Sequence, residues 1–100
     1  MVQKIKWTLR SLNDLQDIYE FIAKDSKRYA QMQIENIQDA VSQLPHFPVM
    51  GRIMPEFPHL PYREIISGNY RIIYKIEKDL IVIMSVVHGR RIIDKSTIER

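Results

Sequence analysis

The chain has 100 residues, 45% of them hydrophobic, with no cysteine and a net charge of +3. That length argues for one domain over residues 1–100 with a single core, and the apolar content argues against wholesale disorder. The lack of cysteine excludes disulfides, Cys-ligated zinc and thiol nucleophiles and suits a reducing, cytoplasmic setting, while no apolar run reaches the roughly 18 residues of a membrane span.

Gln3 to Thr8 alternates, with Ile5 and Trp7 as its large apolar residues, and reads as a first strand. Ser11 reads as a helix cap with Asp14 as its capping-box partner. Leu12, Leu15, Ile18, Tyr19 and Ile22 recur at helical spacing, which predicts an amphipathic helix over Leu12 to Lys24. Asp25-Ser26 breaks it, and Ser26 can cap a second helix whose one-face pattern is Ala30, Ile34, Ile37, Val41 and Leu44. That helix should stop before Pro45, because the residue before a proline disfavours the helical region. Two helices joined this tightly should pack as an antiparallel hairpin.

All five prolines and all three glycines lie at or beyond Pro45. Pro45 to Pro61 is therefore expected to be a rigid, irregular loop crossing from the helices to a sheet. Three strands follow. Gly68-Asn69 supplies a two-residue hairpin turn after Ser67, and Lys78-Asp79 marks a second turn. Leu80 to Val87 is nearly all apolar, as expected of a strand covered on both faces. Ile92 to Arg100 is a charged tail, expected to be a short strand or turn and then a frayed end. The summed order gives an α+β fold: an N-terminal strand, then an antiparallel helical hairpin packed on an antiparallel sheet of three to four further strands.

The positive charge is uneven. Residues 1–50 hold six Lys/Arg and six Asp/Glu, whereas residues 51–100 hold nine against six. Several of those cations flank the strands. If Ser67 and Tyr70 bracket the turn, Glu64 pairs with Ile73 and Arg71 lies diagonally across from Glu64 on the same face. Such a pair is either a plain cross-strand ion pair or an arginine held rigid for a phosphate, and the spacing alone favours the first. Arg90 and Arg91 follow His88-Gly89 at the end of the last strand, where glycine permits a bend that re-aims them. Arg63, Arg71, Arg90 and Arg91 are thus the candidates for gripping a target or a phosphate. His88 is a candidate proton-transfer group by chemistry, and equally a half-buried polar residue at a strand end. Arg52, after Gly51, is expected to cap carbonyls or pair with Glu56. Tyr70 and Tyr74 read as packing residues. His46 and His59 have no partners at metal-ligand spacing, so no metal and no cofactor are expected. There is no phosphate loop, nucleophile elbow or dinucleotide fingerprint.

The helical hairpin, Phe47-Pro48, Gly51-Arg52, Pro55-Glu56, Tyr62-Arg63-Glu64-Ile65, Tyr70-Arg71-Ile72-Ile73-Tyr74 and Val87-His88-Gly89-Arg90-Arg91 together resemble the RelE/ParE superfamily of toxins. The resemblance covers nearly the whole chain. It implies the toxin of a type II toxin–antitoxin module of plasmid-stabilisation type, neutralised by a cognate antitoxin that also carries any contact with operator DNA. RelE-like members cut messenger RNA on the ribosome without a metal; ParE-like members poison DNA gyrase and are not nucleases. Carried over by position, the sheet arginine of the nuclease site matches Arg71 and the arginine after the last strand matches Arg91. The paired lysines before the hairpin and the C-terminal tyrosine are unmatched: the strand offers Tyr62, Arg63 and Glu64, and no tyrosine follows Tyr74. With two of the expected groups missing and His88 the substitute for proton transfer, the resemblance favours growth arrest by target binding over RNA cleavage by Arg71, His88 and Arg91. An inactive toxin acting as co-repressor with its antitoxin is a third reading.

Overall fold

The computed structural model describes residues 4–98. The elements are β1 (Lys4–Trp7), α1 (Leu9–Ala23), α2 (Lys27–Ser42), β2 (Arg52–Ile53), β3 (Tyr62–Ser67), β4 (Tyr70–Glu77), β5 (Leu80–His88) and α3 (Lys95–Ile98). This is the expected α+β fold, with four strands after the hairpin. They form one sheet in the order β1-β5-β4-β3-β2. Strands β2 to β5 pair antiparallel, but β1 pairs with β5 in parallel, so the sheet is mixed. A parallel pair needs a long crossover, and everything from α1 to β4 lies within it.

Helix α1 begins earlier than its sequence pattern implied. Its cap is Thr8, in extended backbone, whose side chain accepts from the Ser11 N–H. Ser11 lies inside the first turn and donates its hydroxyl to the Thr8 carbonyl at 2.8 Å. Asp14 takes no part in the cap. Helix α2 is capped by Ser26 as expected and ends at Ser42, three residues before Pro45.

The hairpin lays Leu15, Ile37, Val41 and Leu44 on Ile65, Ile72, Tyr74, Ile81, Ile83 and Val86 of the sheet. Full burial of each large aliphatic side chain contributes roughly 1.5–3 kcal/mol. Leu12 and Tyr19 match the helical period yet stay 49% and 36% exposed, because the sheet meets a narrower stripe of α1 than the pattern offers. The other sheet face is covered too. There Met54, Tyr62, Ile73, Val87, Ile93 and Ile98 form a second cluster, with Phe57, Leu60 and Met84 against it. Burial on both faces is why β5 is so apolar.

One further point differs from the expectations. The proline-rich crossing is not wholly irregular, since Arg52–Ile53 pairs with β3. Of the strand or turn expected for the tail, it takes the turn, a single one of helix, started by the Asp94 carboxylate accepting from the Thr97 N–H at 3.1 Å. Gln3, expected to open the first strand, and residues 99–100, where a frayed end is expected, lie outside the described residues.

The crossing is fastened where it meets the sheet. Tyr74 is fully buried; its hydroxyl donates to the Pro48 carbonyl at 2.7 Å and accepts from the Gly51 N–H at 3.0 Å. A Cβ at position 51 would sit 2.6 Å from that hydroxyl oxygen and 2.7 Å from the Glu64 carbonyl. Gly51→Ala should therefore destabilise the fold by about 1–3 kcal/mol through overpacking. Urea unfolding measures it; an unchanged midpoint would mean that the loop simply gives way.

Candidate functional site

The β3–β4 hairpin has the register its two-residue turn dictates. Gly68 takes the left-handed φ of 59° that the turn requires, Ser67 pairs with Tyr70, and Glu64 pairs with Ile73. Arg71 consequently reaches Glu64 on the diagonal. Its Nε donates to Glu64 Oε1 at 2.8 Å and its Nη2 bonds the same oxygen. The other end of the fork takes a second carboxylate: Nη1 and Nη2 donate to the two oxygens of Glu56, both at 2.8 Å. Glu64 also accepts from Arg52 Nε at 2.6 Å. Glu64 has no exposed side-chain surface and Arg71 is 9% exposed at the side chain.

The cluster thus balances two guanidiniums against two carboxylates, which is what a buried charge requires. Arg52 therefore pairs with Glu64 rather than Glu56, and it is Arg63 that caps a carbonyl, donating to Gly51 O at 2.7 Å. The hydrogen bonds from Arg71 hold the Glu56 carboxyl below its ordinary value of 4.5. Those bonds, to Glu56 first and then Glu64, outweigh burial and push the Arg71 guanidinium further up, so it stays cationic.

His88 lies elsewhere. It pairs with Tyr70 across β4 and β5, and the two rings meet edge to face with centroids 5.6 Å apart. Neighbouring strand residues project to opposite faces. Tyr70 belongs to the hairpin-side core, so His88 is on the hairpin side while Arg71 points to the other face with Glu56 and Glu64. Arg91 joins His88, lining a depression of about 360 Å³ with Asp17, Ile18, Phe21 and Tyr70. Its neighbour Arg90 is exposed, and its N–H donates to His88 Nδ1 at 3.1 Å. Neither Arg90 nor Arg91 forms an ion pair with the described residues. The structure therefore brings His88 and Arg91 together, separates both from Arg71, and places Arg63 in a loop contact.

Sequence reasoning missed Glu56 as the second partner of Arg71. The signal was present: a carboxylate in an apolar strand needs a cation, and the surplus cation then needs a further anion. His46 and His59 are exposed, and no group of three His, Asp or Glu side chains among the described residues could hold a metal.

Residues 5–93 match the family described as the ParE toxin of the type II toxin–antitoxin system parDE. The chain belongs to this ParE toxin family. Y4kP of Sinorhizobium fredii, a protein named as a candidate toxin, is 32% identical over 91 residues, covering 89% of this chain and 91% of its own length. Among solved structures, the chromosomal ParDE toxin–antitoxin system of P. aeruginosa superposes with a TM-score of 0.73 at 19% identity, over 87% of this chain and 96% of that one. An arginine double mutant of the E. coli toxin RelE in its free state gives 0.65 at 14% identity, over 90% and 86%. The RelBE2 toxin–antitoxin complex of Mycobacterium tuberculosis gives 0.53 at 18% identity, over 88% and 99%. The α+β fold is thus the RelE/ParE fold, and the chain is a type II toxin.

The ion cluster makes this toxin's stability depend on acid. The folded-state pKa of Glu56 lies below its ordinary value of 4.5, so its contribution is complete above that value and is lost as pH falls below it. The urea midpoint of the wild type should fall more steeply below about pH 4.5 than that of Glu56→Gln; parallel profiles would show that the pair adds nothing. Arg71→Ala, which leaves the buried Glu64 with only Arg52 and deprives Glu56 of its partner, should lower the stability measured by urea unfolding by about 3–5 kcal/mol.

Proposed function

We propose that this ParE-family toxin arrests growth by binding DNA gyrase, and that it does not cleave messenger RNA. A cognate antitoxin neutralises it, and operator DNA is met only through that antitoxin. The observation that carries this reading is the separation of Arg71 from His88 and Arg91 by the thickness of the sheet. Cutting RNA at a phosphate requires a proton-transfer group and phosphate-stabilising cations converging on one reacting centre. Here Arg71 has two carboxylates on its fork, and His88 and Arg91 face the other way. The family match and the resemblance to the ParDE structure lend it further support.

Arg90 and Arg91 serve as the target-contact residues on this reading. They stand exposed at the end of a rigid strand, where cations steer association and anchor polar contacts. Arg63 and Arg71 hold the fold together.

The deciding experiment is brief induction without antitoxin, with transcript ends mapped across the genome and plasmid supercoiling followed in parallel. The expected result is arrest with intact transcripts and inhibited gyrase supercoiling by the purified toxin. Inhibition should weaken at least tenfold in an Arg90→Ala, Arg91→Ala double variant of unchanged stability. Codon-phased transcript cuts on induction of the wild type would sink the proposal.

A further inference from the structure

Strand β1 covers only part of β5. It pairs with Leu80–Ile83 and then turns away at Thr8, whose N–H and hydroxyl both reach the Ile83 carbonyl, at 3.1 and 2.8 Å. From Ser85 to His88, β5 has no strand on that side among the described residues. An open strand edge is a template for pairing with another chain.

A side chain meets this edge instead. Asp14, half-buried on α1, accepts from the Val86 N–H at 2.9 Å and from the Ser85 hydroxyl at 2.7 Å. The Val86 N–H therefore points away from β4, and the two-residue repeat turns the His88 N–H to the same side. Two depressions run along the edge. One, of about 430 Å³, is lined by Thr8, Arg10, Asn13, Met84 and Ile98; the other is the His88–Arg91 depression. Asp14 lines both, so its carboxylate divides a lane that otherwise follows β5. An ionised carboxylate only accepts hydrogen bonds, so it satisfies Val86 and sets a negative charge where an incoming strand would bring a carbonyl.

We propose that Asp14 is an edge plug, which keeps the open half of β5 from pairing with an extended segment of a second copy of this chain. The segment that fits is the second copy's β1. It is four residues long and already pairs in parallel with β5, with Ile5 and Trp7 on the hairpin-side core. The lane beyond Asp14 offers the same core through Ile18 and Val86.

The test compares the full-length wild type with Asp14→Ala by sedimentation over a concentration series. Self-association at least tenfold tighter in the variant is expected, with Val86 amide protection lost in the dilute monomer and restored on association. A folded Asp14→Ala that associates no more than the wild type overturns the proposal. Amide exchange of the wild type provides a check that does not depend on the variant folding. Val86 should exchange at least tenfold more slowly than the turn amides of Gly68 and Asn69, and exchange at the turn's rate would equally overturn the plug.

Discussion

Glu64 is a carboxylate with no exposed side-chain surface, and the arrangement of the outer half of the sheet follows from giving it partners. A carboxylate buried on an apolar strand costs several kcal/mol unless cations and hydrogen bonds surround it. Arg71 comes to it from β4 and Arg52 from β2. Two guanidiniums on one carboxylate would leave a surplus positive charge, and Glu56 of the crossing loop neutralises it. One buried charge thereby fastens β2, β3, β4 and the loop after β2 to each other. The same contacts hold Met54 and Phe57 over the second apolar cluster. The proline-rich crossing, which has little regular structure of its own, stays in place because charges at two points tie it to the sheet.

A second constraint is a single residue in β5. From the Lys78-Asp79 turn the register runs without interruption to Tyr74↔Ile83, then steps to Ile73↔Ser85, leaving Met84 as the extra residue. Without that step Arg71 would pair with Val86, and His88 would fall opposite Asn69 on the face of Arg71. With it, His88 stands opposite Tyr70 and turns to the hairpin side. A one-residue shift exchanges the faces of everything beyond it. The bulge thus decides whether the histidine and the sheet arginine share a site.

What could be read from the residues divides along the same line. The Gly68-Asn69 turn dictated the hairpin register, and with it the diagonal of Glu64 and Arg71. The proline position limited α2, and the apolar run of β5 announced cover on both faces. These features depend on neighbours a few residues apart. The Thr8 cap was hidden because Ser11 and Asp14 imitate a capping pair at the right spacing. Asp14 is instead claimed by Val86, 72 residues away, which no local pattern encodes. Glu56 stands four residues from Arg52, which suggests a local pair or a carbonyl cap for that arginine, whereas its partner is the distant Arg71. The bulge at Met84 has no glycine or proline to mark it in a nearly all-apolar strand, so the face of His88 could not be read from the chain.

The surplus of cations in the second half of the chain therefore has two physical roles. Arg52, Arg63 and Arg71 each have an internal acceptor, in Glu64, the Gly51 carbonyl, and Glu56 with Glu64. The charges of Arg52 and Arg71 are balanced by the two carboxylates and contribute little to the field beyond the surface, while Arg63 donates to backbone. Arg90 and Arg91 follow a strand whose both faces are packed, and His88 accepts from the Arg90 N–H to shape the turn that carries them. A rigid base and an unneutralised charge suit an arginine that meets a macromolecular surface. Similar residue types along one sheet thus do different work, and the partner each one finds, rather than its place in the motif, decides which.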